Sequence, residues 1–159
     1  MRVRAYFDEH WGDGWPELSN LRSCLIDPKR RAEFFAKGRD GGSFFVEDGD
    51  EAEQISPQAV GVKASLYMHM NPDHGVKLQY SKWDGRTQKK TSFNSKGDLG
   101  RLSEFVRSFH GTPLSLGLFI PFARGYQAVK DFIETEGELP TSIDWIASKD
   151  LPAGTFPDP

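Results

Sequence analysis

VGVKASLYMHMNPDHGVKLQYSKWDGRTQKKTSF, residues Val60–Phe93, holds three runs of alternating polarity separated by two turn signals. In the first run Val60, Val62, Ala64, Leu66 and Met68 alternate with Gly61, Lys63, Ser65, Tyr67 and His69. A period of two sends one set to each side of a strand. Asn71-Pro72-Asp73-His74-Gly75 reads as a turn, and Val76, Leu78 and Tyr80 resume the alternation after it. Asp84-Gly85 is a hairpin dipeptide, with Thr87–Phe93 returning. The stretch predicts an antiparallel meander over 60–93, with one face packed and one face wet.

Working outward, the upstream chain adds two strands and two helices. Val3, Ala5 and Phe7 alternate with Arg2, Arg4 and Tyr6, a short strand. Leu18, Leu21 and Leu25 have helical spacing over 16–26. Asp27-Pro28 then supplies a cap and a first-turn proline for a helix over 29–37, which Gly38 ends. Lys29, Arg30 and Arg31 stand at the end of that helix where its dipole disfavours cations. Ser43–Val46 reads as a strand.

Downstream, Ser95-Lys96-Gly97-Asp98 has capping-box spacing, and Leu99, Leu102, Val106 and Phe109 predict a helix over 98–110. Leu114–Ile120 predicts a buried strand. Pro121 opens a helix over 122–136 with Phe122, Tyr126, Val129 and Ile133 on one face, closed by Gly137. Ile143, Trp145 and Ala147 alternate as a last strand over 142–147, and Phe122, Val129, Phe132, Ile133 and Trp145 are expected to share one core. The fold class expected is α+β, an antiparallel meander with two or three helices packed on it. Residues 1–150 form one domain in this reading, and 151–159 a proline-rich tail lying loose on the surface.

Composition bounds the function. Twelve Phe, four Trp and four Tyr give material for a core, and the single Cys24 rules out an internal disulfide. The opening residues MRVRAYFDEHWGDGW have no apolar h-region, and no apolar run approaches the ~20 residues of a membrane span, so a cytoplasmic, non-membrane protein is expected. A net charge of -3 and a pI of about 5.8 give no whole-chain basic footprint for nucleic acid. They favour a basic partner instead.

Chemical motifs are sparse. The four histidines lack metal-ligand spacing, and one cysteine cannot build a structural zinc site. Asp8-Glu9-His10 has the donors for a cation, but the stretch reads as a solvated loop. Cys24, between Leu21 and Leu25, reads as a core residue. No nucleophile elbow or phosphate-binding glycine loop occurs, so no catalytic residues, metal or cofactor are assigned. Two acidic groups stand out: the run containing Glu47, Asp48, Asp50, Glu51 and Glu53, and the cluster Glu134, Glu136 and Glu138. Acids at a helix C-terminus oppose the dipole, which suits negative charge kept for a partner.

The segment from Phe119-Ile120-Pro121-Phe122 through Phe132-Ile133, Gly137, Pro140 and Ile143-Asp144-Trp145 resembles the C-terminal part of a bacterial immunity-protein family, the one numbered first among the immunity proteins of polymorphic toxin systems. The resemblance spans 119–147: an apolar strand, a helix bearing Phe132, the terminating Gly137, the link proline Pro140 and a strand with Trp145. Ile146 departs from it, because many members carry an acid after the tryptophan. The resemblance implies a cytoplasmic protein that binds a cognate secreted toxin, such as a nuclease or deaminase, and occludes its active site. The acidic residues above are then the expected contacts with a basic toxin. Two alternatives from other classes are a small enzyme or ligand-binding domain around Asp8, Glu9 and His10, and an assembly protein of a phage or secretion apparatus. The sequence leaves the oligomeric state open.

Overall fold

The structure, a computed structural model, describes residues 1–48 and 61–158. Strands Arg2–Phe7 (β1) and His10–Asp13 (β2) form a hairpin, and helices Leu18–Ile26 (α1) and Pro28–Ala36 (α2) follow. Strands Gly41–Asp48 (β3), Val62–Asn71 (β4), Gly75–Asp84 (β5) and Lys89–Ser95 (β6) come next. Then come the short strands Phe105–Arg107 (β7), Pro113–Ser115 (β8) and Phe119–Ile120 (β9), the helix Phe122–Glu134 (α3) and the strand Trp145–Ala147 (β10). The main sheet is antiparallel, in the order β10-β6-β5-β4-β3-β1-β2, and β9 pairs with β5 where β6 has ended. The fold is α+β, with the meander where the alternation puts it.

Local chemistry explains the elements. Asp27 serves both helices: its backbone N–H donates to Ser23 at the end of α1, and its carboxylate accepts from the Lys29 N–H at 3.0 Å to start α2. Asn71 accepts the Asp73 N–H at 2.8 Å, which shapes the β4–β5 turn. Gly75 ends that turn at φ +101, and a side chain there would collide with the Ile120 carbonyl. Gly125 lets α3 close onto Val76 of β5, leaving no space for a Cβ.

Alternate residues of the strands face the helices. Ala5, Phe7, Phe44, Val46, Ala64, Leu66, Met68, Leu78 and Tyr80 pack with Leu21, Leu25, Phe34, Val129 and Phe132 in one core. Phe122 and Trp145 join it part-buried, and the Trp145 indole N–H donates to the Pro140 carbonyl at 2.7 Å. Cys24 is fully buried in the same core. The cations of α2 also find their places. Arg30 reaches Asp8 and Asn20 at 3.3 and 3.0 Å, while Arg31 donates to the Leu25 carbonyl at 2.6 Å and lies 3.8 Å from the Phe122 ring centroid.

Three expectations are corrected. There is no helix over 98–110: a single 3-10 turn, Leu99–Arg101, leads into the β7–β8 hairpin. Ser95, read as its cap, is instead a buried residue of β6 that donates to the Leu118 carbonyl and accepts the Leu78 N–H. Gly100 weakens helical propensity here, and paired strands satisfy the backbone instead. Next, Leu114–Ile120 is two short strands in different sheets, divided by a 3-10 turn at Leu116–Leu118. Finally, the C-terminal tail is anchored: Thr155 is buried and Phe156 lies over Lys77.

Candidate functional site

Of the two acidic groups named from the sequence, Asp48 from one and Glu136 and Glu138 from the other lie at one end of the sheet. On the helix-bearing face, Val46, Ala64 and Lys82 form one cross-strand row, and Asp48, Val62 and Asp84 form the next row outward. Gly137 sits on the inner row, so close that a Cβ would lie 3.2 Å from both Val46 and Ala64. Its exposed neighbours Glu136 and Glu138 thus lie at the same end of the sheet as Asp48 and Asp84, one row inward, where Glu138 reaches Lys82 at 3.9 Å. The Tyr80 hydroxyl fastens this end from below, donating to the Gly137 carbonyl at 2.8 Å.

Not every expected residue joins the group. Glu47 points to the opposite face of β3 and pairs with Arg4 at 3.4 Å. Glu134 is held along its own helix by Lys130 at 3.5 Å. Asp50, Glu51 and Glu53 lie outside the described residues. Asp84 is an addition that strand register alone reveals, because its sequence role was to mark a turn.

Glu136 has an unusual backbone. The Gly137 N–H donates to the Phe132 carbonyl and the Glu136 N–H to the Ile133 carbonyl, a Schellman closure of α3. In that motif Glu136 occupies the left-handed position, at φ +55. Glycine is preferred there, and an L side chain costs about 1–2 kcal/mol. The helix thus ends on a strained residue that is also an acid at the dipole's negative end.

The Asp8 cluster is structural in its connections. Asp8, at φ +52 in the β1–β2 turn, is nearly inaccessible and accepts from Arg39, from Arg30 at 3.3 Å and from Asn20 at 3.1 Å. Burial pushes its carboxyl up, but hydrogen bonds from Asn20 and Arg39 and the charge of Arg39 outweigh that and hold it below its usual value. Burial raises the Cys24 thiol, the opposite of what a nucleophile needs. The His10 ring is engaged with the Gly14 carbonyl at 3.0 Å. Among the described residues no group of His, Cys, Asp and Glu is placed to hold a metal ion, and no helix is long and apolar enough to cross a membrane.

Lys77 is a further residue that the sequence reading missed. Its polar position in β5 pairs with His69 in β4 and Phe119 in β9, and only 5% of it is exposed. The ammonium lies 5.5 Å from the Phe156 ring and makes no ion pair among the described residues. Burial brings its pKa down to about 8. Burial, aided by the charge of Lys77, also lowers that of His69.

The remaining unassigned surface is the sheet face turned away from the helices. One aromatic side chain per strand crosses it: Trp11 in β2, Tyr6 in β1, Phe45 in β3, Tyr67 in β4 and Trp83 in β5. Tyr6 lies 5.4 Å from Trp11 and 6.1 Å from Phe45, and Phe45 lies 5.6 Å from Tyr67, all edge to face. Trp11 is 75% exposed and Tyr67 43%.

Scans against protein-family models, curated proteins and solved structures each gave no match.

Proposed function

We propose that this chain is an immunity protein: it binds a cognate, basic bacterial toxin in the cytoplasm and covers the toxin's active site or substrate channel. The observation that carries the reading is Glu136, an acid kept in a left-handed conformation where glycine would be more stable. Residues held in costly conformations cluster at functional surfaces. Glu136 also lies at the same end of the sheet as the exposed Glu138 and Asp48 and the half-buried Asp84, acids brought there by the loop after α3, by β3 and by β5. Such a group steers a basic partner and discriminates against acidic ones. The resemblance over 119–147 points the same way, and its Phe132, Gly137, Pro140 and Trp145 build the scaffold beneath this acidic end.

The test is charge reversal with a fold control. Asp48→Lys, Glu136→Lys and Glu138→Lys, combined in one protein, leave the circular dichroism spectrum unchanged, because exposed charges contribute little to stability. The same protein loses affinity for the toxin encoded beside its gene by orders of magnitude, and no longer protects cells producing that toxin. Full protection by the reversed protein, or a neighbouring gene that encodes no toxin, removes the proposal.

A further inference from the structure

The geometry points to a second interaction surface, on the open face of the sheet, that takes single-stranded nucleic acid. This inference does not rest on the toxin-binding reading, which uses the opposite face and the opposite charge.

Three features carry it. First, Trp11, Tyr6, Phe45 and Tyr67 form a continuous edge-to-face row across four adjacent strands, and Trp83 of β5, set apart from it by Ser65 and Ser81, lines with Phe45 and Tyr67 a groove of about 360 Å³. Tyr67 and Trp11 also line a second groove of about 390 Å³ on the other side of the row. Exposed ring faces stack on any nucleobase, which is how sequence-tolerant single-strand platforms work. Second, the side chains between the rings are polar. Ser43, Ser65, Ser81 and Gln79 occupy this face, and along β1–β5 no Leu, Ile, Val or Met does. Serine is among the residues depleted in the centres of protein interfaces.

Third, the charge is that of a phosphate-binding surface. Around the row stand Arg2, Arg4, Lys63 and Lys90, against Asp13 and Glu47. Both acids are ion-paired to arginines, at 3.4 Å each. Lys63 and Lys90 have no ion-pair partner among the described residues. Lysine is depleted in the centres of protein interfaces and suits the nucleic-acid backbone. Arg4 is set over the Phe45 ring, 4.6 Å from its centroid, so a cation and a ring face are presented together. The whole-chain charge of -3, on which the sequence reading excluded nucleic acid, averages over this face and the acidic end.

The experiment measures fluorescence anisotropy of labelled oligothymidylate, oligouridylate and a mixed-sequence duplex titrated with the full chain, together with quenching of its tryptophan emission. The single strands bind more tightly than the duplex and quench the tryptophans. Trp11→Ala and Tyr67→Ala, both at exposed positions and checked for fold by circular dichroism, each weaken single-strand binding about ten-fold. Lys63→Gln and Lys90→Gln together lower the slope of log K against log salt by about 1.4, roughly 0.7 for each phosphate no longer neutralised. Absence of single-strand binding at low salt overturns the inference. Equal binding of duplex or polyglutamate, indifferent to the ring substitutions, overturns it in favour of unspecific polyanion exchange. If Trp11→Ala and Tyr67→Ala abolish toxin binding while oligonucleotides do not bind, the face is a protein interface and the inference again fails.

Discussion

The Tyr80 hydroxyl donates to the Gly137 carbonyl at 2.8 Å, joining the middle strand of the meander to the loop that ends α3. Burial, with Glu138 nearby, raises the Tyr80 pKa to about 12, so this donor keeps its proton at neutral pH. Tyr80→Phe removes the donor and leaves a buried carbonyl without it. The expected cost is about 1–3 kcal/mol of unfolding free energy, read by urea denaturation. Amide exchange should rise first around Glu136–Glu138, because the bond pins that loop. Equal exchange in both proteins would mean that packing alone holds the loop.

The strained closure of α3 gives a prediction of opposite sign for stability and binding. Glu136→Gly relieves the left-handed backbone at φ +55, and the gain is about 1 kcal/mol after the greater freedom glycine has in the unfolded chain is subtracted. A thermal melt should shift upward by a few degrees. The same substitution removes an acid from the proposed toxin-binding group, so affinity should fall. A variant that is no more stable than the parent would contradict the strain assigned to Glu136.

Asp8 ties the β1–β2 turn to α1 through Asn20, to α2 through Arg30 and to the loop before β3 through Arg39. Its carboxyl pKa is lowered in the folded protein. The stability that this contributes is present above the unfolded carboxylate pKa and is lost as pH falls through the folded value. Asp8→Asn should therefore cost roughly 2–3 kcal/mol at pH 7, near the low end for a broken buried pair because Arg30 and Arg39 keep partial access to water. The difference between variant and parent should shrink in strong acid. A cost that does not change with pH would assign Asp8 a purely steric role.

Much of this fold can be read from the chain, and the failures share a cause. The meander was legible because Val62–Met70 faces a core on one side only, which imposes a strict period of two, and Val76, Leu78 and Tyr80 keep that period although Lys77 between them is buried too. The last helix was legible because Val129, Phe132 and Ile133 form its buried stripe and Pro121 precedes it. The segment 98–120 misled because Leu99, Leu102, Val106 and Phe109 have helical spacing but bury nothing as a helix. Val106 instead packs in a small cluster with Leu114, Leu116 and Phe119. That choice depends on long-range partners that spacing does not encode. The acidic residues were visible, but not the register that sets Asp48 and Asp84 on one row, either side of Val62, and turns Glu47 away. Tyr6 and Tyr67 were legible as polar-side residues of their strands, but their row with Trp11 and Phe45 exists only across strands.

Lys77 supplies the last prediction, and its sign differs from that of most ion pairs. The residue is 5% exposed and has no anionic partner among the described residues, so folding places a cation where water is scarce. Its pKa falls from 10.5 to about 8 in the folded protein. Below that lower value both folded and unfolded chains hold the proton, and the full burial penalty opposes folding. Between about 8 and 10.5 the unfolded chain binds more protons, so the stability contribution of this group rises with pH. Above 10.5 both forms are neutral and the penalty is gone. Lys77→Met keeps the stem beneath Phe156 and deletes the charge. It should stabilise the protein by roughly 2–3 kcal/mol at pH 7, with the advantage over the parent declining through this window and vanishing beyond it. Urea denaturation of both proteins at neutral and alkaline pH measures the difference directly. The same gain at every pH would mean that improved packing, and not removal of a buried charge, is responsible.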